Sequence, residues 1–204
     1  MRDTRQAGEI LTPTANRSIN ELCLAGVEDG SFKAFQREAS HSVLCCVEMA
    51  SDRIEAVKLS RIAVDGLDAT EKLLNMLEGV AVDAVILGGI TFAGFNIIDP
   101  RIIHQETNAP VIVYSGEKPD NDAMFLALKK HFEDWMARWR IVERLGGVHE
   151  AVSRPGEPPV YFEVVGGSAR WAEEVLRSSA LICRIPEPVR VAGLIARGVS
   201  RPAC

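Results

Sequence analysis

The 204-residue chain has no C-x-x-C pair, no excess of positive charge, and no apolar run of the roughly 18 residues that a membrane-spanning helix needs. Its five cysteines (Cys23, Cys45, Cys46, Cys183 and Cys204) lack the spacing of a zinc site or a thioredoxin-like redox motif. They read as reduced thiols, most of them packed in the core of a cytoplasmic protein. With no spanning run and a polar amino terminus unlike a signal peptide, no membrane partner is expected. The formal net charge of −5 gives no whole-molecule pull toward nucleic acid, so such contact needs a local basic patch. Histidine is scarce, at four residues, and no nucleophile-elbow pattern occurs, so no hydrolytic triad is indicated.

What is present suits one full core. Hydrophobic residues make up 47% and charged residues 25%, as in an ordinary globule. Residues 1–20 are polar and aperiodic and read as a mobile arm, with 21–204 as a single domain. The apolar run at 22–27 ends in Glu28-Asp29-Gly30, a buried strand followed by a turn. A second buried strand covers 42–49. Ser51-Asp52 turns the chain into a third at 53–64, where the apolar parity changes near Ser60-Arg61 and predicts a bulge.

Helical signals follow. Asp68 with Glu71 three residues on has the form of a capping box, and Gly79 is a natural stop. A short strand at 83–87 precedes the glycine-rich segment 88–96. Asp99-Pro100 starts a helix that ends near Asn108, and 110–114 is another strand. Phe125, Leu128, Phe132, Trp135, Trp139 and Val142 recur at helical spacing and predict one long helix over 121–145. A strand at 160–165, a helix capped by Ser168, and a last helix over 189–197 complete the order. Three hairpin-linked strands followed by alternating helix and strand predict an α/β fold. Its sheet is mixed, with helices on both faces.

That order is the one used by ribonuclease H-like domains, and five ordered motifs narrow it. They are Gly26-Val27-Glu28-Asp29-Gly30-Ser31-Phe32, Val64-Asp65-Gly66-Leu67-Asp68-Ala69-Thr70, Gly89-Ile90-Thr91-Phe92-Ala93-Gly94-Phe95-Asn96, Lys130-His131-Phe132-Glu133-Asp134-Trp135 and Pro186-Glu187-Pro188-Val189-Arg190-Val191-Ala192. Together they resemble the mainly archaeal, endonuclease V-like family called domain of unknown function 99. The resemblance implies a ribonuclease H-like fold, a Mg²⁺ site of carboxylates, and phosphodiester cleavage next to a deaminated base in nucleic acid. It puts the first-strand carboxylate at Glu28 and the helix-start carboxylate at Glu71 or Asp68. The fourth-strand acid that it implies falls on Gly88 or Gly89, and Gly193 stands where it leads one to expect a histidine.

On the residues alone, two readings of the chemistry stay open. Glu28, Asp29, Asp65, Asp68 and Glu71 sit at strand ends or in a first helical turn, where a fold can gather them around Mg²⁺; as caps and turns they need no ion. The assignment for a nuclease is Glu28, Asp29, Glu71 and His131 as catalytic residues, with Glu28, Asp68 and Glu71 as metal ligands. Thr91, Asn96, Lys129, Lys130 and Arg190 would contact substrate. His131, Asp134 and Arg138 share one side of the long helix, whose lysines and arginines form the best local basic patch. Glu187 and Arg190 also read as a structural pair. The alternative is the same fold without catalysis, binding nucleic acid or a protein partner. A third reading makes 88–96, with Thr91 and Asn96, an anion-binding loop for a nucleotide or phosphorylated metabolite.

Overall fold

In the computed structural model, which describes residues 18–32 and 41–200, the chain begins with a short 3-10 turn at Ile19–Glu21. The expected arm before Ser18 lies outside the described residues. Three antiparallel strands come first: β1 (Cys23–Asp29), β2 (His41–Ala50) and β3 (Arg53–Ala63). Then follow α1 (Ala69–Leu77), β4 (Ala84–Leu87), the small hairpin β5 (Thr91–Phe92) and β6 (Asn96–Ile97), α2 (Pro100–Thr107) and β7 (Val111–Ser115). The remainder is α3 (Asn121–His131), α4 (Trp135–Glu143), β8 (His149–Ala151), β9 (Val160–Val165), α5 (Ala169–Ser179) and α6 (Glu187–Ser200).

The main sheet has seven strands in the order β3-β2-β1-β4-β7-β9-β8. The central trio β1, β4 and β7 is parallel, and the flanking pairs are antiparallel. This is the mixed ribonuclease H-like sheet that the order of elements predicts. One face packs on Leu73 and Leu77 of α1, Ile103 of α2 and Val142 of α4. The other packs on Val175 and Leu176 of α5 and, near β2, on Ala192 and Ala196 of α6. All three central strands direct their carboxyl ends to one edge, where open α/β sheets place ligands. No helix among the described residues is long and apolar enough to cross a membrane.

Local caps follow the sequence closely in places. The Asp99 side chain accepts from Arg101 N, Ser168 accepts from Trp171 N, and Asn108 closes α2 in a left-handed conformation. Three expectations need correction. The helix predicted over 121–145 is two helices. Phe132 turns extended (φ −129°, ψ 131°), which sets its ring edge-to-face on Phe95 at 5.4 Å and under the Arg138 guanidinium at 4.4 Å. The β3 bulge lies at the opposite end of the strand, where Glu48 pairs with Ala56 but Met49 with Ile54. Val57 and Leu59 misled the parity argument because they face outward on an edge strand, 42% and 49% exposed. Finally, Asp68 makes no side-chain cap at α1.

Candidate active site

The edge site starts from two neighbouring residues at the end of β1. The Asp29 Oδ2 atom accepts a short bond from Ala93 N in the turn after β5. Glu28 points to the opposite face, toward α6. Its Oε2 accepts from Asp29 N at 3.2 Å. At Gly88, just past β4, a Cβ would lie 2.4 Å from Glu28 Oε1 and 2.6 Å from its Cδ. The Glu28 carboxyl therefore fills the space that a side chain at 88 would need. Burial is the main cause that pushes its pKa up to about 7, with the Asp29 charge adding to it; the Asp29 N–H bond and the Arg197 guanidinium pull the other way. Burial also raises Asp29, against its bond from Ala93 N.

The same exchange occurs on α6. A Cβ at Gly193 would lie 2.8 Å from Arg197 Nη2 and 2.9 Å from Nη1. Both glycines that interrupt the endonuclease V-like pattern are thus filled by a neighbour's charged group, a carboxyl at 88 and a guanidinium at 193.

The other acids have structural duties. Asp65 (φ 57°) and Ala93 (φ 43°) are both left-handed, and Asp65 N donates to Ala93 O at 2.9 Å while Asp65 Oδ1 accepts from Phe95 N at 2.9 Å. Asp68 Oδ1 accepts from Ala63 N at 3.1 Å and Asn96 Nδ2 at 2.6 Å. Asn96 is fully buried; its Oδ1 accepts from Ala69 N at 3.1 Å and so does the capping expected of Asp68. Its amide is spent inside the protein, which corrects its placement among substrate contacts. Glu71 is exposed on α1.

Among the described residues, no three His, Cys, Asp or Glu side chains gather as an ion-binding group, so Glu28, Asp68 and Glu71 are not brought together as one. This donor set does not fit the multi-carboxylate metal pair that the resemblance implies.

The remaining candidates scatter. His131 is exposed at the end of α3 and lines a cleft of about 520 Å³ with Phe32, Asp65, Phe95 and Phe132. Lys129 and Lys130 are exposed beside it, Lys129 Nζ lying 5.9 Å from the Phe125 and Trp135 ring centres. Arg190 is held by Glu187 in a two-pronged pair at 2.6 and 2.8 Å, the structural reading of that motif. Thr91 lines a separate cavity with Glu163.

Arg138 has a different role from the one its sequence position suggests, and Glu163 escaped the sequence reading altogether. Arg138 is 4% exposed and donates to Asp65 O, Gly66 O, Phe95 O and Asp134 Oδ1, at 2.6 to 3.0 Å. It fastens the two left-handed turns of the site to α4. From the sequence it reads as part of a polar strip with His131 and Asp134 and of the basic patch, both on the surface of the helix. Glu163 is 5% exposed in β9, and a lone acid in Val160-Tyr161-Phe162-Glu163-Val164-Val165 was a signal that went unused.

The sheet order and the helices on its two faces are those of the endonuclease V-like, ribonuclease H-like fold class. Within that class, the chain belongs to the endonuclease dU family, whose model matches residues 20–200. A UPF0215 protein of Thermococcus gammatolerans is 38% identical over 185 residues, covering 88% of this chain and 92% of its own. That of Methanothermobacter thermautotrophicus is 35% identical over 185 residues, 89% of each chain. Among solved structures, a protein of unknown function from Archaeoglobus fulgidus superposes with a TM-score of 0.77 at 29% identity, covering 89% of this chain and 99% of its own. Human endonuclease V gives 0.60 at 12% identity, covering 93% and 92%. Endonuclease V of Ciona intestinalis, solved with a 24mer DNA containing an inosine, gives 0.59 at 12%, covering 87% and 85%. At these identities the last two establish the fold.

Proposed function

We propose that the protein is an endonuclease V-like enzyme that cleaves nucleic acid beside a deaminated base, with deoxyuridine as the substrate nucleoside. The family description supports the class of reaction and the base. The observation that carries the reading is the Glu28 carboxyl, folded into the space of Gly88 at the ligand-binding edge with a pKa of about 7. A carboxyl matched to neutral pH is suited to proton transfer, which ordinary acids on a protein surface are not. Glu28 Oε1 takes a proton from the attacking water as its oxygen bonds to phosphorus. The P–O bond to the leaving oxygen then breaks, and solvent water returns a proton to that oxygen. Arg197, which fills the space beside Gly193, supplies positive charge for the phosphate at the same edge.

The test uses end-labelled oligonucleotides with a single deoxyuridine or deoxyinosine, in Mg²⁺, in Mn²⁺ and in EDTA. A nick beside the deoxyuridine, lost in Glu28→Gln, is expected. Absence of cleavage under every condition would sink the catalytic reading. The glycines at 88 and 193 favour a second reading, a module that binds nucleic acid without cutting it. On that reading Glu28→Gln leaves binding unchanged.

A further inference from the structure

Two hydrogen-bond donors meet without an acceptor at the carboxyl end of β7. Val27 of β1, Leu87 of β4 and Val113 of β7 lie side by side in the parallel trio, so the residues after them, Glu28, Gly88 and Tyr114, form one row. Side chains in such a row share a face of the sheet. Gly88 contributes none, and the Glu28 carboxyl reaches over its place toward β7. Tyr114 is therefore the next side chain along the row from Glu28.

Tyr114 is 5% exposed, and among the described residues its hydroxyl is buried without a hydrogen-bond partner. A buried O–H left unbonded costs stability unless something binds it. Burial pushes the phenol pKa up to about 12, against the charge of Arg184 beside it, so at neutral pH the group keeps a hydrogen to donate. Arg184 is anchored on one side only. Its Nη1 donates to Gly116 O at 2.6 Å and to Pro159 O at 2.9 Å, and its main-chain N to Glu157 Oε2 at 2.8 Å. Among the described residues, Nη2 donates to nothing. Gly116 leaves room beside both donors. A Cβ there would stand 3.6 Å from Arg184 Nη2 and 3.7 Å from Tyr114 Oη, at ordinary contact distance. A phenol O–H and a guanidinium facing one gap match an oxygen that carries negative charge.

We propose that this gap holds a non-bridging oxygen of the phosphate on which Glu28 acts, with the Tyr114 hydroxyl and Arg184 Nη2 as its donors. The inference rests on the proposed cleavage and adds the groups that orient the phosphate for it. Tyr114 gives up no proton. It donates a hydrogen bond that strengthens as charge gathers on the phosphate oxygens, so it acts more on the transition state than on the bound strand. Arg184, from the segment between α5 and α6, adds charge on the β7 side of Glu28, while Arg197 acts from α6.

The experiment uses the full chain and an end-labelled strand with a single deoxyuridine. Tyr114→Phe removes only the hydroxyl. Gly116→Ala keeps both donors but sets a methyl group against them. Each variant should lower kcat at least about tenfold, as loss of one oxyanion donor does, with KM changed far less. Each should keep the rise of rate with pH through about 7, which belongs to Glu28. Tyr114→Phe should melt no lower than wild type, because the hydroxyl it removes is unbonded. An unchanged kcat in either variant overturns the inference and leaves the proposed cleavage standing. A lower melting temperature for Tyr114→Phe shows that an enclosed water bonds the hydroxyl, and overturns it too. If wild type cuts no strand, the proposed function falls and this inference with it.

Discussion

Glu28 and Gly88 act as one unit, because the carboxyl of the first occupies the place of the second's missing side chain. That packing sets the pKa and so gives the pair a signature in stability as well as in rate. The folded value of about 7 lies above the ordinary 4.5, so the native state holds this proton more tightly than the unfolded chain does. The stabilisation is fully present below about 4.5 and is lost as pH rises through about 7, at about 1.4 kcal/mol per pH unit in between. Glu28→Gln removes the dependence. Its melting temperature should therefore match wild type near pH 4, exceed it increasingly up to about pH 7 and then level off, as thermal unfolding at a series of pH values will show. Equal differences at pH 4 and pH 8 contradict the assignment. Cleavage by wild type should rise with pH through about 7 and then level off, since the base must be deprotonated.

At the scale of elements, Arg138 determines whether the loop ends of β3 and β6 stay together. Four hydrogen bonds and the Phe132 ring satisfy a guanidinium that water barely reaches. Arg138→Met fills the space but leaves three carbonyls of the site without a donor, and should cost about 3–5 kcal/mol in urea unfolding. A loss under about 1 kcal/mol would show that the turns hold themselves. Much of this scaffold was legible beforehand. Continuous apolar runs identified β2, β4 and β7, and Asp99-Pro100 and Ser168 marked helix starts because local chemistry decides those positions. The break at Phe132 was hidden, since no glycine or proline signals it and the aromatic spacing stays helical; a tertiary contact with Phe95 decides it. At the site, Glu28 stood out as a strand-end acid. Asn96 took the capping role expected of Asp68 because a cap 27 residues away in sequence leaves no local pattern.

For the whole molecule, the net charge of −5 constrains how it can hold a polyanion. General attraction is absent, so affinity must come from local cations, and Lys129 and Lys130 are an exposed pair next to His131 in the last turn of α3. Each phosphate neutralised on a single strand contributes about −0.7 to the slope of log affinity against log salt. If both lysines meet phosphates, Lys129→Gln/Lys130→Gln should flatten that slope by about 1.4 and weaken binding of every strand alike. It should leave the ratio between deoxyuridine and abasic strands untouched, because backbone contacts position a strand without reading it. Fluorescence anisotropy titrations between low and moderate salt measure both quantities. A changed base ratio with an unchanged slope would place these lysines at the base and return the backbone to Arg197 and the α6 face.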